Sequence, residues 1–128
     1  MPIKKILIVD DSPTERHALT ELLSKKGYAV VTAQDGAEGI AKSRSEAPDL
    51  ILMDVVMPGV NGYQATRTIA RDDATRHIPV ILCTTKSQET DKIWGMRQGA
   101  YAYLVKPIDS RQLFAKISSL DSTQAGSP

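Results

Sequence analysis

The sequence predicts an α/β domain, a five-stranded parallel sheet with helices on both faces. Three observations predict it. The continuous apolar runs Ile6–Val9, Leu50–Met53 and Val80–Cys83 have the length and unbroken apolarity of strands covered on both faces. Between such runs lie stretches with apolar residues at helical spacing, opened by capping residues and closed by glycine or proline. Strand and helix alternate five times with short connections, the pattern of a parallel sheet joined by right-handed crossovers.

Each element has its own warrant. Ile6–Val9 is the first strand. Ser12-Pro13-Thr14-Glu15 opens a helix with a cap, a proline at the first helical position and a capping-box glutamate. Ala18, Leu19, Leu22 and Leu23 form its apolar side, and Gly27 ends it. Tyr28–Thr32 is a β-rich second strand. Asp35-Gly-Ala-Glu38 is a second capping-box candidate, and its helix must stop near Pro48. Leu50–Met53 is the third strand, and Met57–Val60 is a loop. Asn61 caps a third helix through Tyr63, Ala65, Thr66 and Ile69. Val80–Cys83 is the fourth strand. A fourth helix spans about Ser87 to Arg97, with Gly99 as its stop, and Ala102–Val105 is the fifth strand. Asp109 opens the last helix, whose apolar side shows Leu113, Phe114, Ile117 and Leu120. One domain over residues 1–120 is expected, followed by a flexible tail over 121–128, where apolar periodicity is lacking. The alternation leaves the strand order open.

Composition narrows the function. The chain has 128 residues, 41% hydrophobic and 24% charged, so it can bury a real core. A net charge of +1 gives no electrostatic case for nucleic acid or an anionic membrane. The single cysteine, Cys83, lies in an apolar run and reads as a buried, inert thiol. No signal peptide or membrane span is legible, which predicts a cytoplasmic protein without membrane insertion.

The chemistry gathers at strand ends. In a parallel sheet the carboxyl ends of all strands share one edge, where open α/β sheets bind ligands. That edge would collect Asp10, Asp11, Asp54, Thr84, Thr85 and Lys106. If the first and third strands are neighbours, Asp10, Asp11 and Asp54 crowd together. Two carboxylates ~4 Å apart repel by roughly 4 kcal/mol at an effective dielectric of ~20. An ammonium offsets part of that, and Mg²⁺, which suits hard carboxylate oxygens, offsets more. Singly, the features are bland: an Asp-Asp pair is more often a turn or cap than a metal site. Asp35 and Asp109 read as caps, Asp49 lies at the wrong edge, and His17 and His77 lack metal or triad spacing.

Taken in order, Asp10-Asp11, Asp54 with Met57-Pro58-Gly59, Thr84, Tyr103 and Lys106-Pro107 resemble the CheY-like receiver domains of bacterial two-component response regulators. The resemblance covers residues 5–120. It implies the flavodoxin-like strand order 2-1-3-4-5, with Asp54 accepting a phosphoryl group from a histidine kinase, CheA-like or hybrid. It implies Mg²⁺ held by Asp11, Asp54 and the backbone carbonyl of Val56, with Asp10 acting mostly through a bound water. It further implies Lys106 paired with Asp54 and then with its phosphate, Thr84 donating its hydroxyl to the phosphoryl oxygen, Tyr103 rotating inward with it, and a cis Lys106-Pro107 bond. The output face would be the fourth helix, fifth strand and fifth helix, acting on a downstream effector protein or through a phosphate-sink role. The stretches Val55–Arg67 and Thr84–Gly95 resemble more narrowly the single-domain regulators of type IV pilus chemosensory systems, implying a part in twitching motility.

Two positions depart from the chemotaxis pattern: Val56 replaces a common Asn and Lys86 a common acid, so a polar group that could orient water is missing at Val56. The rival readings are three. A haloacid-dehalogenase-type enzyme would place a second aspartate where Val56 stands. A flavin module would want a hydroxyl- and glycine-rich first loop, and Asp10-Asp11 would repel its phosphate. A phosphorylation-independent scaffold is opposed by the presence of every site residue. Trp94 reads equally as a core filler or a partner contact.

Overall fold

The computed structural model describes residues 2–126, with side chains through residue 121. Ten elements alternate: β1 (Lys5–Val9), α1 (Pro13–Lys25), β2 (Ala29–Ala33), α2 (Gly36–Ser45), β3 (Leu50–Met53), α3 (Gly62–Arg71), β4 (Val80–Thr84), α4 (Glu89–Arg97), β5 (Ala102–Val105) and α5 (Ser110–Gly126). The strands form one parallel sheet in the order β2-β1-β3-β4-β5. β1 and β3 are therefore neighbours, in register Val9 to Met53, so the residues just beyond them face each other.

Strand alternation divides the core into two layers. Ile6, Ile8, Leu50, Leu52, Ile81 and Cys83 point to one face and pack with Leu19 and Leu23 of α1 and Leu113, Ile117 and Leu120 of α5. Leu7, Val9, Ile51, Met53, Val80 and Leu82 point to the other and pack with Ala65 and Ile69 of α3. β1, β3 and β4 are buried on both sides, which is why they read as continuous apolar runs. Truncating a fully buried residue such as Leu52 costs about 3 kcal/mol. Burial pushes the Cys83 thiol up to about 12, so it is inert, as its setting predicts.

The caps differ in detail from the expected boxes. The Ser12 hydroxyl accepts from the Glu15 amide at 3.3 Å, but the Ser12 amide donates to Asp10 Oδ1 at 2.9 Å and not to Glu15. Asp35 caps α2, while the Glu38 carboxylate accepts from the Gln34 amide, one residue earlier than a capping box requires. Asn61 and Gln64 form the full reciprocal box on α3. The stretch expected as a tail from residue 121 begins inside α5, which continues to Gly126, and the last two residues lie outside the described ones. Asp121 Oδ1 accepts the Ile3 amide at 2.6 Å, which ties this turn to the start of β1. Nothing in Asp-Ser-Thr-Gln-Ala breaks a helix; it only lacks an apolar side to bury. At the amino edge of the sheet, Asp49 Oδ2 accepts the amides of Lys4 and Lys5 at 2.9 and 3.0 Å.

Candidate functional site

The carboxyl edge of the sheet gathers the predicted residues. Asp10 follows β1 and Asp54 follows β3; both are buried, while Asp11 is exposed beside them. Carboxylate oxygens of Asp10, Asp11 and Asp54 lie within 4.8 Å of one another. Lys106, just past β5, reaches across the edge: its Nζ is 2.8 Å from Asp10 Oδ2 and 3.5 Å from Asp54 Oδ2. The expected Lys106–Asp54 pair is thus present, but the tighter partner is Asp10. The Lys106-Pro107 peptide is cis.

Backbone placement explains this geometry. The Asp54 amide donates to the Val9 carbonyl, continuing the β1–β3 ladder one residue past the strand, and Asp54 Oδ1 accepts the Val55 amide at 2.7 Å. Gly62, the first residue of α3, presses on this turn: its amide donates to the Val55 carbonyl, and a Cβ there would stand 2.0 Å from the Asp54 carbonyl oxygen. The Lys106 amide donates to the Thr84 carbonyl, which extends the β4–β5 ladder and aims Lys106 into the edge.

The electrostatics follow. Within the cluster three carboxyl groups face the single ammonium of Lys106, so acidic groups are in excess. Burial raises the Asp54 carboxyl above its ordinary value; the Lys106 charge opposes that rise, and Asp10 adds to it. Burial pulls the Lys106 ammonium down, but its hydrogen bond to Asp10 and the charges of Asp54 and Asp10 outweigh that, so its value rises. Close, hard oxygen donors with surplus negative charge fit a divalent cation of the Mg²⁺ kind.

The hydroxyl side of the site lies on β4 and β5. Thr84 is wholly buried, and its Oγ1 accepts the Lys86 amide at 3.3 Å. The Tyr103 hydroxyl donates to the Lys86 carbonyl at 2.8 Å. Thr85 is exposed. Val56 is 58% exposed next to the acidic cluster. Trp94 is 49% exposed, which removes the core-filler reading.

Three contacts escaped the sequence. Arg16 Nη1 donates to the Asp10 carbonyl at 2.6 Å, holding the β1 turn from α1. The Ser12 amide steadies the Asp10 carboxylate. Tyr63 brings its hydroxyl to 3.4 Å from that of Tyr103. Only the position of Tyr63, a polar-tipped aromatic in the first turn of a helix beside the site edge, hinted at the last.

A parallel sheet with aspartates and a lysine converging on its carboxyl edge defines the receiver class of signalling proteins. The chain belongs to the response regulator receiver domain family, whose model matches residues 6–118. It is similar to protein PilH of Pseudomonas aeruginosa, 55% identical over 116 residues that make up 91% of this chain and 96% of PilH. Other curated relatives are longer, and the chain spans about a quarter to a half of them. Among solved structures, Vibrio cholerae chemotaxis protein CheY4 aligns with a TM-score of 0.84 at 32% identity, covering 91% of this chain and 98% of CheY4. The receiver domain of the sensor histidine kinase PA1611 from P. aeruginosa, with a magnesium ion coordinated in its active site cleft, aligns with a TM-score of 0.83 at 29% identity, covering 91% of this chain and 95% of that one. Among the described residues, no helix is long and apolar enough to cross a membrane.

Proposed function

We propose that the chain is a phospho-accepting receiver in a chemosensory two-component pathway, with Asp54 as the acceptor. The observation that carries this reading is the position of Asp54: one carboxylate oxygen is fixed by the Val55 amide, and the other is 3.5 Å from the Lys106 ammonium. An Asp54 oxygen attacks the phosphorus of a kinase phosphohistidine; the P–N bond breaks, an acyl phosphate forms, and the imidazole leaves with a proton from solvent. Asp10, Asp11 and Asp54 would hold Mg²⁺, with the Val56 carbonyl as a further ligand and Asp10 acting through water. When bound, Mg²⁺ supplies charge neutralisation on the phosphoryl oxygens. Lys106 turns from its carboxylate partners towards the new phosphate, and Thr84 donates its hydroxyl to it. The displacement of Thr84 shifts Tyr103 and so the population of the α4–β5–α5 face, which meets a downstream effector. The alternative output is phosphate drainage from a shared kinase.

Similarity to PilH along nearly its whole length supports placement in a type IV pilus system controlling twitching motility, with a CheA-like kinase upstream. The chain acts as a signalling phosphoprotein of the cytoplasm and turns over no independent substrate. Intact-mass analysis after incubation with a small acyl phosphate and Mg²⁺ tests the reading. Wild type gains one phosphoryl group and Asp54→Asn gains none. No gain in folded wild type with any donor would move the reading to a phosphorylation-independent scaffold.

A further inference from the structure

α4 is sparsely buried. Of its residues Glu89–Arg97 only Gly95 is buried, and Ile93, Trp94 and Met96 are exposed. At Gly95 the helix lies so close to Leu82 and the Tyr103 ring that a Cβ would stand 2.7 and 2.9 Å from them. What holds the amino-terminal half of α4 is polar. Tyr103 donates to the Lys86 carbonyl at 2.8 Å, and Tyr63 donates to the Asp91 carbonyl at 3.1 Å. Two phenols, one from β5 and one from α3, thus grip two carbonyls of the segment that enters α4.

Proton counting makes the grip specific. Carbonyls only accept, so with both bonds formed the two hydroxyl protons are committed. The Tyr63–Tyr103 hydroxyl contact then carries no proton, in keeping with its greater length of 3.4 Å. Tyr63 also stands one residue after Gly62, whose amide is bonded to Val55 and whose Cα abuts the Asp54 carbonyl.

From this we infer that Tyr63 is a second switch residue, a positioning group that clamps the first turn of α4 to the backbone of the Asp54 turn. The clamp adds a second hold on α4 beside the one made by Tyr103, whose hydroxyl lies 3.4 Å from that of Tyr63. Its regulatory meaning rests on the proposed phosphorylation of Asp54; its existence does not. In the resting protein α4 is held at two points, and loss of either loosens the helix without touching the acidic cluster.

Tyr63→Phe removes one hydroxyl and keeps the ring. In the unmodified protein, the amides of residues 88–93 should exchange with solvent about twofold to tenfold faster in Tyr63→Phe than in wild type, the effect of one net hydrogen bond. Amides of β1 and β3 should be unchanged. Thr68→Ala, which removes a hydroxyl bonded to the Gln64 carbonyl of the same helix, should leave residues 88–93 as in wild type. Unchanged exchange in α4, or an equal rise in the core strands, would overturn the clamp. Trp94, the only tryptophan, reports the link to phosphorylation from its place on α4. Its emission in Tyr63→Phe before any phosphodonor should already show part of the change that donor and Mg²⁺ produce in wild type. Emission identical to resting wild type would overturn the coupling. A wild type that takes up no phosphoryl group would sink the reading of Asp54 and the coupling with it, while the exchange measurement still decides the clamp.

Discussion

Lys106 and Asp10 form the closest ion pair of the site, 2.8 Å apart with side chains 10% and 4% exposed. Replacing Lys106 with Met leaves Asp10 and Asp54 without their cation. We expect a loss of about 2 kcal/mol in denaturant unfolding without metal, from carboxylates stranded in a buried site. Because the Lys106 value is raised on folding, its contribution is full below the ordinary ammonium range and is lost as pH rises through the raised value. Wild type and Lys106→Met should therefore converge in stability only in strong alkali. Equal stability at neutral pH would contradict this account.

Asp54→Asn should stabilise the metal-free protein by about 1 kcal/mol at neutral pH, because it relieves a desolvated charge. The Asp54 carboxyl is raised on folding, so the native state binds its proton more tightly than the unfolded chain does. Its cost to stability is absent below the ordinary carboxylate range, grows as pH rises from there, and levels off above the raised value. Thermal melts of both proteins across that range should show the gap open with pH. Added Mg²⁺ should narrow it by stabilising wild type more. A gap that is constant with pH would refute the assignment.

Val56→Asn places an amide where an exposed valine now stands beside the acidic cluster. Once phosphorylated, the variant should lose its phosphoryl group faster, by about an order of magnitude or less, since an amide can orient an attacking water and valine cannot. Decay followed by intact mass under one condition checks this. An equal or slower decay in the variant would count against it.

Gly62→Ala and Gly27→Ala separate two reasons for glycine. At Gly62 the new methyl meets the Asp54 backbone carbonyl at 2.0 Å, where no flexible side chain can give way, so a loss of about 3 kcal/mol is expected together with slower phosphorylation. At Gly27 there is open space but φ is +93°, so only conformational strain of about 1 kcal/mol follows, and the site is untouched. Chemical denaturation ranks the two; equal losses would be inconsistent with the close approach at Gly62.

Trp94→Ala should cost about 1 kcal/mol, well below the truncation of a core aromatic, because about half of the side chain is exposed on α4. A selective loss of partner binding in this variant, measured beside wild type, would mark Trp94 as a contact. A large drop in melting temperature would restore the core reading.

Much of this was legible in the chain. β3 and β5 match their predicted ranges residue for residue, and the other strands fall within one residue of theirs; for β1, β3 and β4, burial on both faces leaves an unbroken signature. The meeting of Asp10, Asp54 and Lys106 followed from strand direction once β1 and β3 were neighbours. What escaped depended on side-chain reach between distant segments. Asp121 of α5 is tied to Ile3 by a bond between residues 118 positions apart, which no local pattern announces. Likewise, no local spacing shows that Lys106 reaches Asp10 more closely than Asp54, or that Tyr63 meets Tyr103.

Aspartates stand at both ends of this sheet and meet different fates. At the amino edge, parallel strands present their N–H groups, and Asp49 takes two of them with one oxygen. At the carboxyl edge the strands present C=O groups, which repel a carboxylate; Asp10 and Asp54 each accept an amide only from the chain just past the strand. The same residue type is thus satisfied at one end and left in deficit at the other. Appetite for a cation here is a property of strand direction, built in before any metal or phosphate arrives.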